Sequence, residues 1–222
     1  MNPWLIYPTW QNFSSLFRET TIAAEEKTEF LRYHHLTAAL YFAISSIESL
    51  LNEKYRVRLE FERRSEEEIV LILRKHRFAE KFSQWPTLIC GKEVRVSNDL
   101  KTILTDFNEI RGHLTHPKTR GHEIYAKLEK VNGQQLLEAV AEYAITVFSG
   151  LGESYPYWLF GWNYLNPDRN GDDPSRINNQ QFLHSLEYFG MNVPAFNARN
   201  ANAWENAHMK DFQGYKTIAQ FL

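Results

Sequence analysis

The stretch FLRYHHLTAALYFAISSIESLLNEKY, residues 30–55, decides the fold class of this chain. Its apolar residues recur at steps of three and four, the period of a helix with a face in a core, and no Gly or Pro interrupts them. The pattern predicts one helix from Ala23 to about Tyr55. A helix of roughly 30 residues is long for a globular protein, so we expect it to lie at the centre, buried on more than one side. The members of this series are Phe30, Leu31, Tyr33, His34, Ala38, Tyr41, Phe42, Ile44, Ile47, Leu50 and Leu51.

Three further helices follow from capping and periodicity. One covers residues 66–84: Ser65 supplies an N-cap hydroxyl, acids fill the first turn, and the helix is expected to stop before Pro86. The next starts at position 97 or 98, and the last covers residues 133–149. Four helices joined by links of moderate length predict an all-α, up-down helical bundle.

The chain divides into three segments by composition. Residues 1–22 form an aromatic N-terminal arm, broken by Pro3 and Pro8, for which we expect an extended conformation or a short strand with turns. Residues 23–150 form the helical bundle. Residues 151–222 are rich in Gly, Pro, Asn and aromatic residues, and we expect this extension to pack on the bundle through its Trp and Tyr side chains.

Composition restricts the class of protein. A hydrophobic fraction of 43% over 222 residues is that of a core-forming globular protein. The net charge of −2 excludes a general nucleic-acid-coating protein, which needs excess Lys and Arg, so any contact with RNA or DNA must be local. The single Cys90 favours a reducing compartment. Because there is no signal-peptide pattern and no apolar run of about 20 residues, we expect a cytoplasmic protein without a membrane contact.

Basic and titratable residues are concentrated in RGHLTHPKTRGH, residues 111–122, which contains three His, three Arg or Lys, and no acid. Gly112 and Pro117 are expected to loosen the helix end, so that Arg111 and His116 can be turned onto one surface. An imidazole beside a guanidinium is what RNA phosphodiester cleavage needs: the imidazole moves the proton, and the guanidinium stabilises the charge on the phosphorane. No metal and no other cofactor is required.

Other interpretations of this stretch stay open. Gly, His, Lys and Pro are also the ordinary residues of a helix exit. His113, His116 and His122 have the composition of a metal cluster, but the stretch offers no carboxylate or thiolate to complete a tetrahedral set. Residues 166–173, NPDRNGDD, have part of the rhythm of a calcium loop. Because Ile177 stands where a bidentate Glu is needed, a polar turn is favoured there.

FNEIRGHLTHPK, residues 107–118, resembles the signature of HEPN domains (higher eukaryotes and prokaryotes nucleotide-binding). In that family an Arg-x(4–6)-His motif lies near the end of a late helix and is followed by Pro and a basic residue. Two other stretches agree in the expected order. AISSIESLLNEKY, residues 43–55, resembles the end of the family's long early helix, and LRKHRFAEKFSQWPTLICGKE, residues 73–93, resembles the next helix with its Gly-Lys exit. Together the three stretches extend the resemblance over roughly residues 25–150.

The resemblance implies a helical bundle that forms a homodimer, in which the motifs of two protomers create one composite, metal-independent endoribonuclease site for single-stranded RNA. Arg111 would bind and polarise the scissile phosphate, and His116 would be the acid/base. Lys118 and Arg120 would be secondary phosphate contacts. Many members of the family serve in toxin–antitoxin or other defence systems, so an antitoxin or regulatory protein is an expected partner.

One position departs from the family pattern. The residue after the motif Arg is usually polar, often Asn, and here it is Gly112. Either His113 substitutes for that group as a substrate contact, or the site is weakened. Other members have lost the motif and act only as binding or assembly modules. The alternative functions are therefore a non-catalytic HEPN module and a helical scaffold whose aromatic tail recruits a partner protein.

Glu48 and Asn52 are polar residues four apart inside the hydrophobic series of the long helix. Two interpretations are open for them. They are either a buried polar pair satisfied by backbone or by a neighbouring helix, or groups near the composite site that orient its catalytic residues.

Overall fold

The structure, a computed structural model, describes residues 8–116 and 123–153. These residues form seven α-helices and no strand, which confirms the all-α class. Residues 154–222, most of the predicted C-terminal extension, lie outside the described part of the chain. In chain order the helices are α1 (Pro8–Glu25), α2 (Glu29–Phe61), α3 (Glu66–Lys75), α4 (Phe78–Cys90), α5 (Asn98–Thr115), α6 (Glu123–Glu129) and α7 (Gly133–Leu151).

Helix α2 is the central element of the bundle. Its 33 residues span about 50 Å at 1.5 Å per residue, and it packs against each of the other six described helices. The long central helix predicted from the sequence is therefore confirmed, although it begins at Glu29 rather than Ala23 and continues to Phe61. The buried side chains of its inward faces include Leu36, Ala39, Leu40, Ala43, Ile44, Ile47, Leu50 and Leu51.

Helix α1 occupies most of the segment that the sequence predicted to be extended, and that prediction is wrong from Pro8 onward. Phe13, Leu16 and Phe17 are buried at the helical spacing of three and four and pack into the core. Pro8 stands at the first helical position, where its missing N–H would have had no partner within the helix. The proline therefore begins the helix instead of excluding it.

The segment predicted as one helix over residues 66–84 is two helices, and the prediction is wrong at residues 76 and 77. Ile69 is 2% exposed and Phe78 is 7% exposed, so both side chains face the core. They are nine positions apart, which amounts to about 900°, or two and a half turns, on a continuous helix. Unbroken, the helix would place these two side chains on opposite faces. The break after Lys75 lets both be buried.

Helix α4 continues through Pro86 to Cys90, so the predicted stop before this proline is also wrong. A proline within a helix leaves the carbonyl four residues earlier without its N–H donor, and here that carbonyl belongs to Phe82. The hydroxyl of Tyr143 on α7 donates a hydrogen bond to it at 2.7 Å. Tyr143 is fully buried. A side chain from another helix thus satisfies the group that would otherwise have ended the helix.

Glu142 on α7 gives the fold a pH dependence. Burial, and then the negative charges of Asp99 and Glu138, raise the pKa of its carboxyl. Because the folded-state pKa lies above the unfolded one, stability is lost as the pH rises from the unfolded value through the folded value. We expect Glu142→Gln to raise the free energy of unfolding at neutral pH and to leave it unchanged near about pH 3, where the carboxyl is protonated in both states. Urea denaturation at the two pH values measures this, and an equal effect at both would contradict it.

In the described part of the chain, no helix combines the length and the apolar character needed to cross a bilayer.

Candidate functional site

Helix α5 carries the first part of the basic stretch. Its start is fixed by Ser97, whose hydroxyl accepts the backbone N–H of Leu100 at 3.1 Å. Of the two starts that the sequence left open, positions 97 and 98, the cap is therefore at 97. Leu100, Leu104 and Phe107 bury one face of the helix. The helix then runs to Thr115, so the Arg-x4-His stretch lies at its C-terminal end.

Gly112 does not loosen this helix end, and the expectation that it would is wrong. It lies within the regular part of α5, and its carbonyl accepts the backbone N–H of His116 at 2.9 Å. His116 leaves the helix at φ −132° and ψ 73°, which agrees with the constraint that Pro117 places on the residue before it. A side chain added at Gly112 would meet nothing within 4 Å, so this position is open on its outer side.

Arg111 and His116 lie on the last turns of the same helix but in different environments. Arg111 is half-buried, and its Nε atom is buried without a hydrogen-bond partner. His116 is exposed. Within the described residues no hydrogen bond joins these two side chains, and five residues of helix turn them about 140° apart. Within one chain, therefore, the two groups are close in sequence and at the same helix end but are not paired.

An acidic residue lies beside the motif, although the basic stretch itself contains none. Glu109 contacts His113 Nε2 and Lys127 Nζ, both at 3.3 Å, and Lys127 belongs to α6. The ammonium of Lys127, and then His113, lower the pKa of the Glu109 carboxyl, so it is ionised at neutral pH. His113, a predicted substrate contact, is therefore shared with a carboxylate. The i,i+4 spacing of Glu109 and His113 is the sequence signal for this pair.

Two hydroxyl groups stand next to the motif. Thr115 Oγ1 donates to the carbonyl of Arg111 at 2.9 Å, and the hydroxyl of Tyr41 on α2 lies 2.9 Å from the same Oγ1. Since the single threonine proton is used on the carbonyl, Tyr41 is the donor in the second bond. Sequence reasoning missed both residues as neighbours of the motif. The sequence identified Tyr41 only as a member of the apolar series of α2. The side chain is 36% exposed, and its hydroxyl makes this hydrogen bond at the helix surface.

The side chains of Glu48 and Asn52 both accept a hydrogen bond from Lys81 of α4. The Lys81 ammonium donates to Glu48 Oε1 at 2.8 Å and to Asn52 Oδ1 at 3.1 Å, and it lies 5.0 Å from the centre of the Trp85 ring. Lys81 is 4% exposed. These contacts correspond to the interpretation in which a neighbouring helix satisfies the polar pair. No described contact joins either residue to the motif, and a role in orienting catalytic residues stays a prediction.

The other predicted site residues follow the motif in the chain. Lys118, Arg120 and His122 lie outside the described residues, as does the segment 166–173 considered as a calcium loop. Among the residues that the structure describes, no three side chains of His, Cys, Asp or Glu are grouped as metal ligands would be.

No protein-family model matches the chain, and no match is found among curated proteins or solved structures. The resemblance to HEPN domains is one of sequence, carried by the motif and by the two helical stretches that accompany it.

Proposed function

We propose that this protein is a metal-independent endoribonuclease of the HEPN type that acts as a homodimer. The observation that carries the proposal is the pairing of chemical types at one helix end. A guanidinium with a buried Nε that has no hydrogen-bond partner lies one turn before an exposed imidazole. An arginine in this state gains a charge-assisted hydrogen bond when a phosphate arrives.

The reaction needs two proton-transfer groups, whereas one motif supplies a single imidazole. Attack of the ribose 2′-oxygen on phosphorus requires a base to take the 2′-hydroxyl proton, and departure of the 5′-oxygen requires an acid to protonate it. Two copies of His116, one from each protomer, can fill these two roles. Arg111 would stabilise the added negative charge on the phosphorane. The absence of a hydrogen bond between the two side chains in the described part of one chain is consistent with a site completed by a second copy.

The substrate would be single-stranded RNA held by local positive charge. The net charge of −2 gives no general attraction to a polyanion, so Lys118 and Arg120 would provide the additional phosphate contacts. His113 is a weaker candidate for this role because Glu109 already contacts its ring. By the same resemblance we propose a toxin or defence component in the cytoplasm, with an antitoxin or regulatory protein as its partner.

The direct test is RNA cleavage by the purified full chain in the presence of EDTA. We expect a single-stranded RNA to be cut with 2′,3′-cyclic phosphate or 3′-phosphate ends, and we expect EDTA to leave the rate unchanged. The double variant Arg111→Ala/His116→Ala, prepared in parallel, should show no cleavage above background, which excludes a contaminating nuclease. Equal cleavage by the two preparations would overturn the proposal.

A second candidate, a non-catalytic HEPN module, is favoured by the acid beside the motif. Glu109 brings a negative charge next to His113 and so reduces the positive potential at this helix end. In addition, Gly112 replaces the polar residue usual in the family. RNA binding without cleavage in the same assay, with tighter binding by wild type than by the double variant, would support this second function.

A further inference from the structure

Helix α3, EEEIVLILRK, is attached to the bundle by a narrow face. Its one buried residue is Ile69, and Leu71 is 68% exposed although it stands in the middle of the apolar run. At 100° per residue, an outward stripe centred on Leu71 also contains residues 67, 68, 74 and 75. All of these outer residues are exposed. The stripe therefore has an apolar centre, two acids at its N-terminal end and two bases at its C-terminal end.

Three of the four charges on this stripe have no partner in the described part of the chain. Glu67, Arg74 and Lys75 form no hydrogen bond or ion pair there, whereas Glu68 closes the capping box of the helix with Ser65. Glu67 and Arg74 cannot satisfy each other, because seven residues of helix hold them about 10 Å apart along the axis. The helix therefore presents opposite charges at its two ends, and within the described residues Glu67, Arg74 and Lys75 leave theirs unpaired.

We propose that α3 is a self-association surface that binds α3 of a second copy of this chain in antiparallel orientation. Residues 66–75 have their midpoint beside Leu71, so a two-fold axis there brings the two Leu71 side chains together. The same axis places Glu67 opposite the partner's Lys75, and Glu68 opposite the partner's Arg74. A two-fold interface must be complementary to itself, and the charge order of α3 meets that condition only in the antiparallel arrangement.

Exposed apolar side chains also stand at the end of α2, next to the start of α3. Val57 is 59% exposed and Phe61 is 80% exposed, and α2 leads directly into α3. Arg56, the neighbour of Val57, bonds Glu66 at 2.8 Å, so the two helix ends are adjacent. A stable interface buries about 800 Å² on each partner, and a ten-residue helix supplies only part of that area. The association is therefore expected to be weak, with a dissociation constant in the micromolar range.

The charge order of α3 has a second explanation, which the experiment must separate from the first. Acids in the first turn and bases in the last turn stabilise an isolated helix through its dipole. Reversing either charge weakens the helix, and reversing both weakens it further. Self-association behaves differently, because exchanging the charges at both positions recreates the opposite pair across the two-fold axis.

The first experiment is sedimentation equilibrium of the full chain over a range of concentrations. Leu71→Glu should halve the mass reached at high concentration, from dimer to monomer, or from tetramer to dimer if the motif faces also pair. Leu88→Glu on α4, where Leu88 is likewise an exposed leucine at 46%, is the matched control and should leave the mass unchanged. A wild-type chain that stays monomeric, or an unchanged mass for Leu71→Glu, would overturn the proposal.

The second experiment tests the orientation by charge exchange. Glu67→Lys and Lys75→Glu should each raise the dissociation constant about tenfold, since each places like charges opposite one another at two symmetric positions. The double variant Glu67→Lys/Lys75→Glu should recover the wild-type constant while its α3 helix is less stable than in either single variant. A double variant that associates no better than the singles would refute antiparallel pairing. These variants keep the Arg-His motif, so their outcome does not depend on the ribonuclease proposal.

Discussion

Replacing His116 by Ala is expected to lower the rate of RNA cleavage by about 10²–10⁴, the usual contribution of a positioned acid/base. The imidazole is exposed and makes no described side-chain contact, so its removal should cost little stability. In the composite site the change removes both proton-transfer groups at once, because each protomer supplies one. Cleavage of a labelled single-stranded RNA under single-turnover conditions measures this effect, and thermal unfolding of the same variant should be unchanged.

His34→Ala is the matched control for this experiment. His34 is exposed on α2 and lies edge-on to the His35 ring, so its loss removes an equivalent imidazole from the surface without touching the motif. The control should retain full activity. Arg111→Lys should give an intermediate loss, because it keeps the positive charge but lacks the planar fork that binds two phosphate oxygens. If His116→Ala cuts RNA as fast as the His34→Ala control, the catalytic assignment is wrong.

The helical character of these segments could be predicted from the sequence, whereas the break between α3 and α4 could not. The apolar period of α2 and the serine caps of α3 and α5 are local signals, and the structure confirms them. The break between α3 and α4 involves neither Gly nor Pro. It follows from the need to bury Ile69 and Phe78 on the same side, a condition set by the position of other helices. Local propensity does not contain that information.

For the candidate site too, some residues could be identified from the sequence and others only from the fold. The position of Arg111 and His116 at a helix end was predicted from Gly, Pro and the period of α5, and the structure places them there. Tyr41 of α2 contacts Thr115, and Lys127 of α6 contacts Glu109. Both contacts depend on the fold, which brings α2, α5 and α6 together, so the sequence around the motif does not contain them. Likewise Lys81 could not be identified from the sequence as the partner of Glu48.

The bond between Tyr143 and Phe82 is the stability feature with the largest expected effect. Burial raises the pKa of the Tyr143 hydroxyl, so the group keeps its proton and can donate. Tyr143→Phe removes the donor and leaves the Phe82 carbonyl unsatisfied beside Pro86. An unsatisfied buried polar group costs about 1–3 kcal/mol. We expect urea denaturation to show a loss of that size, with a fall of several degrees in the melting temperature.

A second substitution tests whether Pro86 is the reason that stability depends on the Tyr143 hydroxyl. Pro86→Ala restores a backbone N–H at the position from which a helix donates to the Phe82 carbonyl. Removing the ring from a buried site has its own cost, so the useful quantity is the coupling between the two changes in a double-mutant cycle. The cost of Tyr143→Phe should be smaller in the Pro86→Ala background than in the wild type, because the new N–H supplies the missing bond. An equal cost in both backgrounds would mean that Tyr143 stabilises the bundle by packing alone.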